Sequence, residues 1–450
     1  MTKKRVLIIL LLFSLGGVGN YMFAQGVTLS SCIDSALINN NKLQKAKLDV
    51  DIYNYSKKEA LSAGLPQISA TGNLKYNIDN MTMVLPGEIM GKPGQILAVQ
   101  SGTKYNSDAN LTVSQLLYSG SYFIGVKAAK VTCELSEQLV QKTEEDVIYN
   151  VSVTYYNLLQ LNQQMKALQS NLTMINKLLE ISKLQYDNDI IKKVELDRIT
   201  VTKTNLETNV DNLSAAIVQL NNVLKYHMGI STKEPFQINF NDTIDIPDNL
   251  LALDFNLNHS NRSDIQILNT QQKILALKLK GAKTAYQPSL SAYGQFSYQA
   301  MRNEFNFFDG SKDWYKMSFV GLKLNVPIFT GFNTRSKVQK AKIALRQSEI
   351  NLNDVNNWVD VEFLNAKNKL ANSLKSVKAQ DKNRKLAMDV YSQTQLAYQE
   401  GTTSLISLLD AETALRQAKT GYNNEVLNFK IAELDLLKAK GDLKSLLNNK

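Results

Sequence analysis

The chain has 450 residues, 44% of them hydrophobic and 20% charged, and its formal net charge is +10. Lysine and arginine are scattered among acidic residues and form no basic block, which argues against nucleic-acid binding. The sequence has two histidines and two cysteines, without a C-x-x-C or H-E-x-x-H motif, so it predicts no metal site, no cofactor and no disulfide framework.

The N terminus has the three segments of a secretory signal peptide. Basic residues at 3–5 precede an apolar run over 6–15, and small and polar residues lead to Ala24. We therefore predict that residues 1–24 are removed on export. No later uncharged apolar run reaches the roughly 18 residues that a transmembrane helix needs, so any membrane-spanning segment must be a strand. Cys32 ends a stretch that loosely resembles a lipoprotein cleavage box, which leaves lipidation open.

The mature chain consists of two copies of one unit. With an offset of 222, Pro66 falls on Pro288 and Tyr76 on Tyr298, and the alignment needs no gap from 39 to 77. Offsets of 211 and 212 align the later segments. Such self-similarity is the signature of a duplicated structural unit. We predict a first repeat at 25–230, an inter-repeat segment at 231–257 and a second repeat at 258–450.

Each repeat contains two segments that alternate with period two. After Pro66, Ile68 and Leu74 fall on one face, whereas Ser69 and Asn73 fall on the other. Because a proline disfavours the helical conformation of the residue before it, it ends the incoming helix and starts a strand. Strands of roughly nine to twelve residues are long enough to cross a bilayer. The predicted strands lie at about 66–78, 109–119, 288–300 and 317–329.

Long helices are predicted where prolines are absent, at 94–234 and 328–450, since a proline inside a helix costs about 3 kcal/mol. Apolar residues there recur every three or four positions, which is typical of coiled-coil seams. Each repeat should have a helix that feeds the strands, a long helix after them and a shorter returning helix. The predicted helices cover 28–63, 121–187, 195–228, 260–285, 332–398 and 404–447.

This pattern predicts a mainly α fold with a membrane β-barrel that one copy cannot close. Four strands are fewer than the roughly eight of the smallest outer-membrane barrels, and an open edge in lipid leaves backbone amides unpaired. Several copies must pool their strands, with outer-membrane lipid around them. Each long helix would span about 100 Å at roughly 1.5 Å per residue. If the feeding helices stack end to end on the returning ones, the barrel continues into a helical shaft.

These features resemble the TolC-type outer-membrane efflux channels over essentially the whole mature chain. The resemblance rests on the duplicated helix-strand-strand-helix order, the proline-led strands, the segment 326–331, and the stretch 398–402 followed by 408–413. It implies a homotrimer that pools four strands from each copy in a twelve-stranded barrel, with a helical barrel in the periplasm of a Gram-negative bacterium. The closed tip would dock a periplasmic adaptor joined to an inner-membrane pump. It implies a passive exit channel of a tripartite efflux or type I secretion system, and drugs, metal ions, lipids and proteins all remain open as cargo.

The same resemblance assigns adaptor docking to the two helix turns. The family's docking motif is a glycine followed by an apolar residue. The second repeat has Gly401 followed by Thr402, whereas the first has Asp189 where glycine is usual, followed by Ile190. Because Asn and Asp are the best substitutes for glycine at positive φ, we expect the turn to form through Asn188 or Asp189.

Acidic residues near the turns are candidates for a periplasmic gate. In a symmetric oligomer they would form rings, which favour cations at a constriction. Asp410 matches such a position in the family. Ser407 stands where an acid is often found, and Glu195 is the counterpart of Ser407 in the first repeat. A solvated helix position is the alternative for both Asp410 and Glu195. Tyr398 is a further gate candidate, although packing between helices is the simpler explanation for an aromatic residue there.

Residues 79–108 and 299–316 are predicted to be extracellular loops between strands. Their aromatic residues suit a membrane-interface girdle, with packing inside the loop as the alternative. The girdle candidates are Phe305, Phe307, Phe308, Trp314 and Tyr315.

An enzyme is not expected, because the sequence offers no nucleophile elbow, phosphate loop or metal-ligand motif. His227 and His259 lie near the repeat junction without predicted partners, so they are expected to be surface or equatorial residues. The rival interpretation is an exported coiled-coil scaffold or adhesin whose strands form a soluble sheet without channel activity.

Overall fold

The structure, a computed structural model, describes residues 27–239, 246 and 256–447 except Lys92. The predicted signal peptide and most of the segment 240–255 lie outside the described residues. None of the described helices is long and apolar enough to span a membrane. Within the described ranges the α-helices are α1 (Leu29–Asn39), α2 (Asn41–Ser62), α3 (Gly120–Asp187), α4 (Lys193–Met228), α5 (Ser263–Thr284), α6 (Asn333–Gln399) and α7 (Leu405–Lys440). The strands are β1 (Gln67–Tyr76), β2 (Met81–Pro86), β3 (Ile96–Ser101), β4 (Tyr105–Ser119), β5 (Ser289–Arg302) and β6 (Tyr315–Asn325).

The chain folds into two compact units, and the long helices contribute to both. The helical unit comprises the described residues within Met1–Asp49, Glu137–Leu268 and Asn351–Lys450. The sheet unit comprises those within Val50–Ser136 and Asn269–Ile350. Neither unit is continuous in sequence, because each repeat leaves the helical unit, forms its strands and returns.

One core of the helical unit lies along α3. Ile148, Val151, Tyr155 and Leu158 recur at spacings of three and four and are almost completely buried against α1 and α4. Burying an apolar side chain of this size contributes about 1.5–3 kcal/mol. Packing of such a seam, more than helix propensity, holds the helices in place. Cys32, the residue of the lipoprotein-like stretch, is fully buried in the same cluster as part of α1.

A second core joins α6 to α7. Phe363 and Leu370 are one heptad apart on α6, and Phe429 and Leu436 are one heptad apart on α7. Ala432 lies between the last two and is fully buried. This spacing is that of a coiled-coil seam, as the sequence predicts, and the small alanine allows the two helices to approach closely.

In the first repeat the feeding and returning helices meet end to end. The Asn40 side-chain oxygen accepts a hydrogen bond from the Leu43 amide at 3.2 Å and so caps α2, while its Nδ2 donates to the His227 carbonyl of α4 at 2.7 Å. Gly229, which follows α4, lies against the backbone of Asn39. A Cβ atom on Gly229 would be 2.2 Å from the Asn39 carbonyl oxygen.

The second repeat has an equivalent joint built from different side chains. The Arg262 guanidinium donates to the carbonyl oxygens of Lys438 at 3.2 Å and Ala439 at 3.1 Å, at the C-terminal end of α7. Gly441 follows α7, and a Cβ atom there would be 2.6 Å from the Asn261 carbonyl oxygen. These two joints confirm that the feeding helices stack on the returning ones.

Two predicted helices have different bounds in the structure. The helix predicted at 28–63 is interrupted, because Asn40 leaves the helical conformation to cap α2. The helix predicted at 404–447 ends at Lys440, because Gly441 adopts a left-handed φ of 73° and closes α7.

The sheet unit contains a four-stranded sheet with the order β1-β4-β5-β6, in which every neighbouring pair is antiparallel. The strand predicted at 317–329 ends at Asn325, since Pro327 has no amide hydrogen to donate to a ladder. The loop predicted at 79–108 contains a separate hairpin, β2 paired with β3, that the sequence analysis did not predict.

Candidate functional site

The four-stranded sheet has one polar and one apolar face. Side chains alternate along each strand, and the register aligns polar residues of β1, β4 and β5: Ser69 pairs with Thr112, which pairs with Gln295. The β6 positions on the same face are Tyr315, Met317, Phe319, Gly321 and Lys323. The predicted alternation thus gives one amphipathic sheet. The polar face carries Gln67, Ser69, Thr71, Asn73, Asp108, Asn110, Thr112, Ser114, Ser291, Gln295, Ser297 and Gln299. The apolar face carries Ile68, Ala70, Leu74, Leu111, Val113, Leu290, Phe296, Tyr298, Val320, Leu322 and Leu324.

Hydrogen bonds connect the polar face across three strands. Asn73 Nδ2 donates to Asp108 Oδ2 at 2.9 Å, and Asn110 Nδ2 donates to the same oxygen at 2.5 Å. Gln295 Nε2 in turn donates to Asn110 Oδ1 at 3.2 Å. Cross-strand polar pairs of this kind stabilise a sheet surface that faces water.

The apolar face is exposed, and the sheet has two free edges. Ile68 and Leu322 are each 68% exposed and Val320 is 90% exposed. Within the described chain, β1 pairs only with β4, and β6 pairs only with β5. A contiguous apolar surface of this kind marks a contact with protein or membrane, and free edges can pair with further strands.

The aromatic residues of the loop after β5 divide into two groups. Phe307 is buried beneath Arg302, whose guanidinium carbon lies 5.6 Å from the ring centroid, and it also contacts Trp314 at 6.1 Å. For this residue packing inside the loop is correct and the girdle is wrong. Phe308 is 91% exposed, as a girdle requires, whereas Tyr315 pairs with Gln299 on the polar face of the sheet.

The two helix turns of the helical unit have the same geometry. Asp189 has a φ of 59° and Gly401 a φ of 74°. The Ile190 amide donates to the Gln185 carbonyl at 2.8 Å, and the Thr402 amide donates to the Ala397 carbonyl at the same distance. Each turn is thus a Schellman motif with a left-handed residue. The turn in the first repeat is formed through Asp189, one of the two predicted alternatives.

The side chains of these turns point to solvent or close the helix ends. Asn188 Nδ2 donates to the Leu184 carbonyl at 2.7 Å, and Thr402 Oγ1 donates to the Ala397 carbonyl at 2.9 Å. Ile190 is 69% exposed although it is apolar. An exposed apolar side chain at a rigid turn is suited to contact with another protein.

Tyr398 and Glu195 lie close to each other. Tyr398 is half-buried and packs on a cluster of α3, α4 and α7 side chains that includes Ile175 and Ile199. Burial raises the pKa of the Tyr398 hydroxyl, and the negative charge of Glu195 raises it further. The packing role for Tyr398 is therefore present in the structure, with a carboxylate at its side.

Asp410 lies on a different surface from Glu195. It is exposed and lines a groove of about 370 Å³ between α4 and α7, together with Asp197, Arg198 and Leu409. Asp410 therefore lines this groove, whereas Glu195 is not among the residues that line it.

Glu412 is a buried carboxyl group that no sequence motif marks. It is 3% exposed, and its Oε1 lies 3.8 Å from Nε of Arg416; neither atom has a hydrogen-bond partner among the described residues. Burial raises the pKa of Glu412, against the opposing charges of Arg416 and Lys419. The one available signal is the i,i+4 spacing of a glutamate and an arginine next to a helix seam.

The histidines form no catalytic group. His259 Nε2 lies 3.1 Å from Asp360 Oδ1 in a partly exposed pair. Burial lowers the pKa of His227, helped by the positive charge of Lys42. Among the described residues, no group of three or more His, Cys, Asp or Glu side chains is placed to hold a metal ion.

Comparisons with solved structures show the same fold. The outer membrane channel CmeC of Campylobacter jejuni superposes with a TM-score of 0.76 at 18% identity, over 95% of this chain and 91% of that one. The outer membrane protein VceC of Vibrio cholerae superposes with a TM-score of 0.73 at 14% identity, over 92% and 96% of the two chains.

Curated sequences agree over nearly the whole length. The outer membrane protein TolC of Vibrio cholerae is 20% identical over 449 residues, which is 98% of this chain and 96% of that protein. The probable efflux pump outer membrane protein TtgC of Pseudomonas putida is 20% identical over 93% of this chain and 84% of its own length. The profile of the outer membrane efflux protein family matches residues 32–220 and 259–442. The two matched stretches leave out the inter-repeat segment. The chain therefore belongs to the outer membrane efflux protein family, the TolC-type channels, which is a family of efflux proteins and not a class of enzymes.

Proposed function

We propose that three copies of this chain close their sheets into one twelve-stranded outer-membrane barrel that acts as a passive exit duct. The observation that carries the proposal is an amphipathic four-stranded sheet with two free edges. In lipid, unpaired backbone groups at an edge cost several kcal/mol each, so the edges must pair with other copies. The apolar face would then contact lipid and the polar face would line a water-filled interior.

The strand directions support closure by copies of the same chain. Because neighbours are antiparallel in the order β1-β4-β5-β6, β6 runs opposite to β1. When β6 of one copy meets β1 of the next, the pairing is again antiparallel. The alternation of strand direction therefore continues around the ring without a parallel pair, whatever the number of copies. Three copies give twelve strands, which is within the size range of outer-membrane barrels.

The rest of the chain would form the trans-periplasmic part of the duct. Residues 1–24 direct export, and the repeats at 25–230 and 258–450, joined by the equatorial segment 231–257, supply the helical barrel. The end-to-end joints at Asn40 and Arg262 support this, since each joins a returning helix to a feeding helix. The duct has no covalent chemistry of its own, and its energy comes from the pump that recruits it.

The two helix turns are the proposed docking points for a periplasmic adaptor and, through it, an inner-membrane pump. Their backbone geometry is the same in both repeats. Their exposed side chains differ, since Ile190 is apolar and Thr402 is polar. We therefore expect the turn of Asn188, Asp189 and Ile190 to contact the adaptor by apolar burial and the turn of Gly401 and Thr402 mainly through its backbone.

Asp410, Glu195 and Tyr398 are the proposed gate residues. Three-fold symmetry would repeat each carboxylate into a ring, which favours cations at a constriction. The electrostatic effect of Glu195 on the Tyr398 hydroxyl supports a coupled role for these two residues. Asp410 would act separately, from the groove between α4 and α7.

Fractionation and conductance test the function. We expect the protein in detergent-extracted outer membranes as a discrete oligomer that conducts ions in planar bilayers. A photo-crosslinker at position 189 or 401 should capture a periplasmic adaptor. Recovery from the periplasm without detergent, as a protein that conducts no ions, would instead support the scaffold or adhesin interpretation.

A further inference from the structure

The polar face carries a pair of contacting aromatic rings on its β5 and β6 strands. Tyr293 and Phe319 lie on β5 and β6, with ring centroids 5.9 Å apart and ring planes at 76°. They are 40% and 41% exposed. Every other polar-face position of β5 within four residues of Tyr293 is serine or glutamine. An exposed ring pair beside serine and glutamine side chains is a candidate contact surface for a solute.

Glycine makes room for this pair. Tyr293 pairs directly with Gly321, and a Cβ atom on Gly321 would lie 3.0 Å from Cζ of the tyrosine ring. Tyr293 therefore lies down over the strand and does not project from it. Its ring and that of Phe319 form an edge-to-face floor, a geometry that aromatic rings prefer and that leaves faces open to a third ring.

A cation stands next to the aromatic floor. Lys323 is two residues beyond Gly321 on the same strand face, about 6.6 Å away at the usual strand rise. It pairs in register with Ser291, the polar-face neighbour of Tyr293. Lys323 is exposed, and among the described residues it has no ion-pair partner. No acidic residue occupies the polar face at 289–297 or 317–325.

We propose that Tyr293, Phe319 and Lys323 form a binding site for planar aromatic anions inside the barrel. The ring of the solute stacks on the aromatic floor, its carboxylate faces the Lys323 ammonium, and the Gln295 amide is available to a second polar group. Charge complementarity selects the anion, because a cationic aromatic would meet Lys323 with like charge. The inference rests on the proposed function, since it takes the polar face to line the duct.

Calorimetric titration of the full-length, detergent-purified oligomer with 2-naphthoate and with neutral 2-naphthol tests the site. Phe319→Leu keeps an apolar side chain of similar size but removes the ring, and should weaken both ligands about threefold to tenfold. Lys323→Gln should weaken naphthoate at least about threefold and leave naphthol unchanged. Lys75→Gln removes the lysine at the far end of β1 on the same face and should bind like the wild type.

The inference is overturned if the wild type shows no saturable naphthoate binding, if Phe319→Leu and Lys323→Gln bind like the wild type, or if Lys75→Gln matches Lys323→Gln. Size-exclusion chromatography confirms that each variant keeps the wild-type oligomer. Bilayer conductance separates the two proposals. Binding with the expected variant pattern but no ionic current would contradict the duct and leave the site intact. Ionic current without naphthoate binding would contradict the site and leave the duct intact.

Discussion

Replacing Gly229 by alanine should break the joint between α4 and α2. Gly229 has a φ of 72°, and a Cβ atom there would lie 2.2 Å from the Asn39 carbonyl oxygen and 2.8 Å from the Asn40 amide nitrogen. A left-handed alanine costs about 1–2 kcal/mol, and forcing atoms into a packed contact costs typically about 1–3 kcal/mol more. The expected loss in free energy of unfolding is therefore about 2–5 kcal/mol.

Gly401→Ala is the matched control for this substitution. Gly401 has a φ of 74°, but nothing lies within 4 Å of the position of its Cβ atom. The free energy of unfolding of Gly401→Ala should fall only by the cost of a left-handed alanine, about 1–2 kcal/mol. Urea-unfolding midpoints followed by far-ultraviolet circular dichroism, in detergent, compare the two. Gly441→Ala should behave like Gly229→Ala, because its Cβ atom would meet the Asn261 carbonyl at 2.6 Å. Equal losses at 229 and 401 would refute the end-to-end joint.

Three further predictions follow from the described contacts. Arg262→Leu removes a buried guanidinium from two partly exposed carboxylates and from the two carbonyls at the end of α7, and should destabilise by about 1–3 kcal/mol. Arg346→Leu, in an exposed pair, should cost under about 1 kcal/mol in the same unfolding assay. Asp189→Gly relieves a left-handed residue and should raise the urea midpoint slightly; a clear drop would show that the side chain, not the backbone, forms the turn. Burial raises the pKa of Glu412, so this carboxyl lowers stability as pH rises from its unfolded pKa through its folded pKa. The free energy of unfolding of Glu412→Gln, relative to wild type, should therefore be higher at about pH 8 than at about pH 5. Glu207→Gln, on an exposed helix surface, is the control and should show no such difference. The same difference for Glu412→Gln at both pH values would contradict the buried charge.

The features that could be predicted from sequence are those set by local chemistry and periodicity. The two faces of the sheet follow from alternation after Pro66 and Pro288. The turn at Asp189 follows from the tolerance of aspartate for positive φ. End-to-end stacking of helices follows from lengths, but the atoms that make it, Asn40 and Arg262, contact residues roughly 180 positions away and have no local signature.

Other features depend on tertiary context. The β2–β3 hairpin was missed because the glycines and Pro93 between its strands are typical of a loop. The sequence alone leaves Phe307 open between a girdle and packing inside the loop, and the guanidinium of Arg302, which covers the ring, decides for packing. Burial of Glu412 depends on which side chains of α3 and α6 meet α7, and periodicity along α7 alone does not determine that.

Cysteine crosslinking between the two edge strands tests the central claim most directly. The starting variant has Cys32 and Cys133 replaced by alanine. Each test variant then carries one new cysteine in β1 and one in β6, and it is oxidised in isolated outer membranes. The trimeric barrel predicts disulfides between copies and a ladder that ends at a covalent trimer on denaturing gels. Crosslinks confined to single chains, or none at any pair of positions, would contradict a wall completed by neighbouring copies.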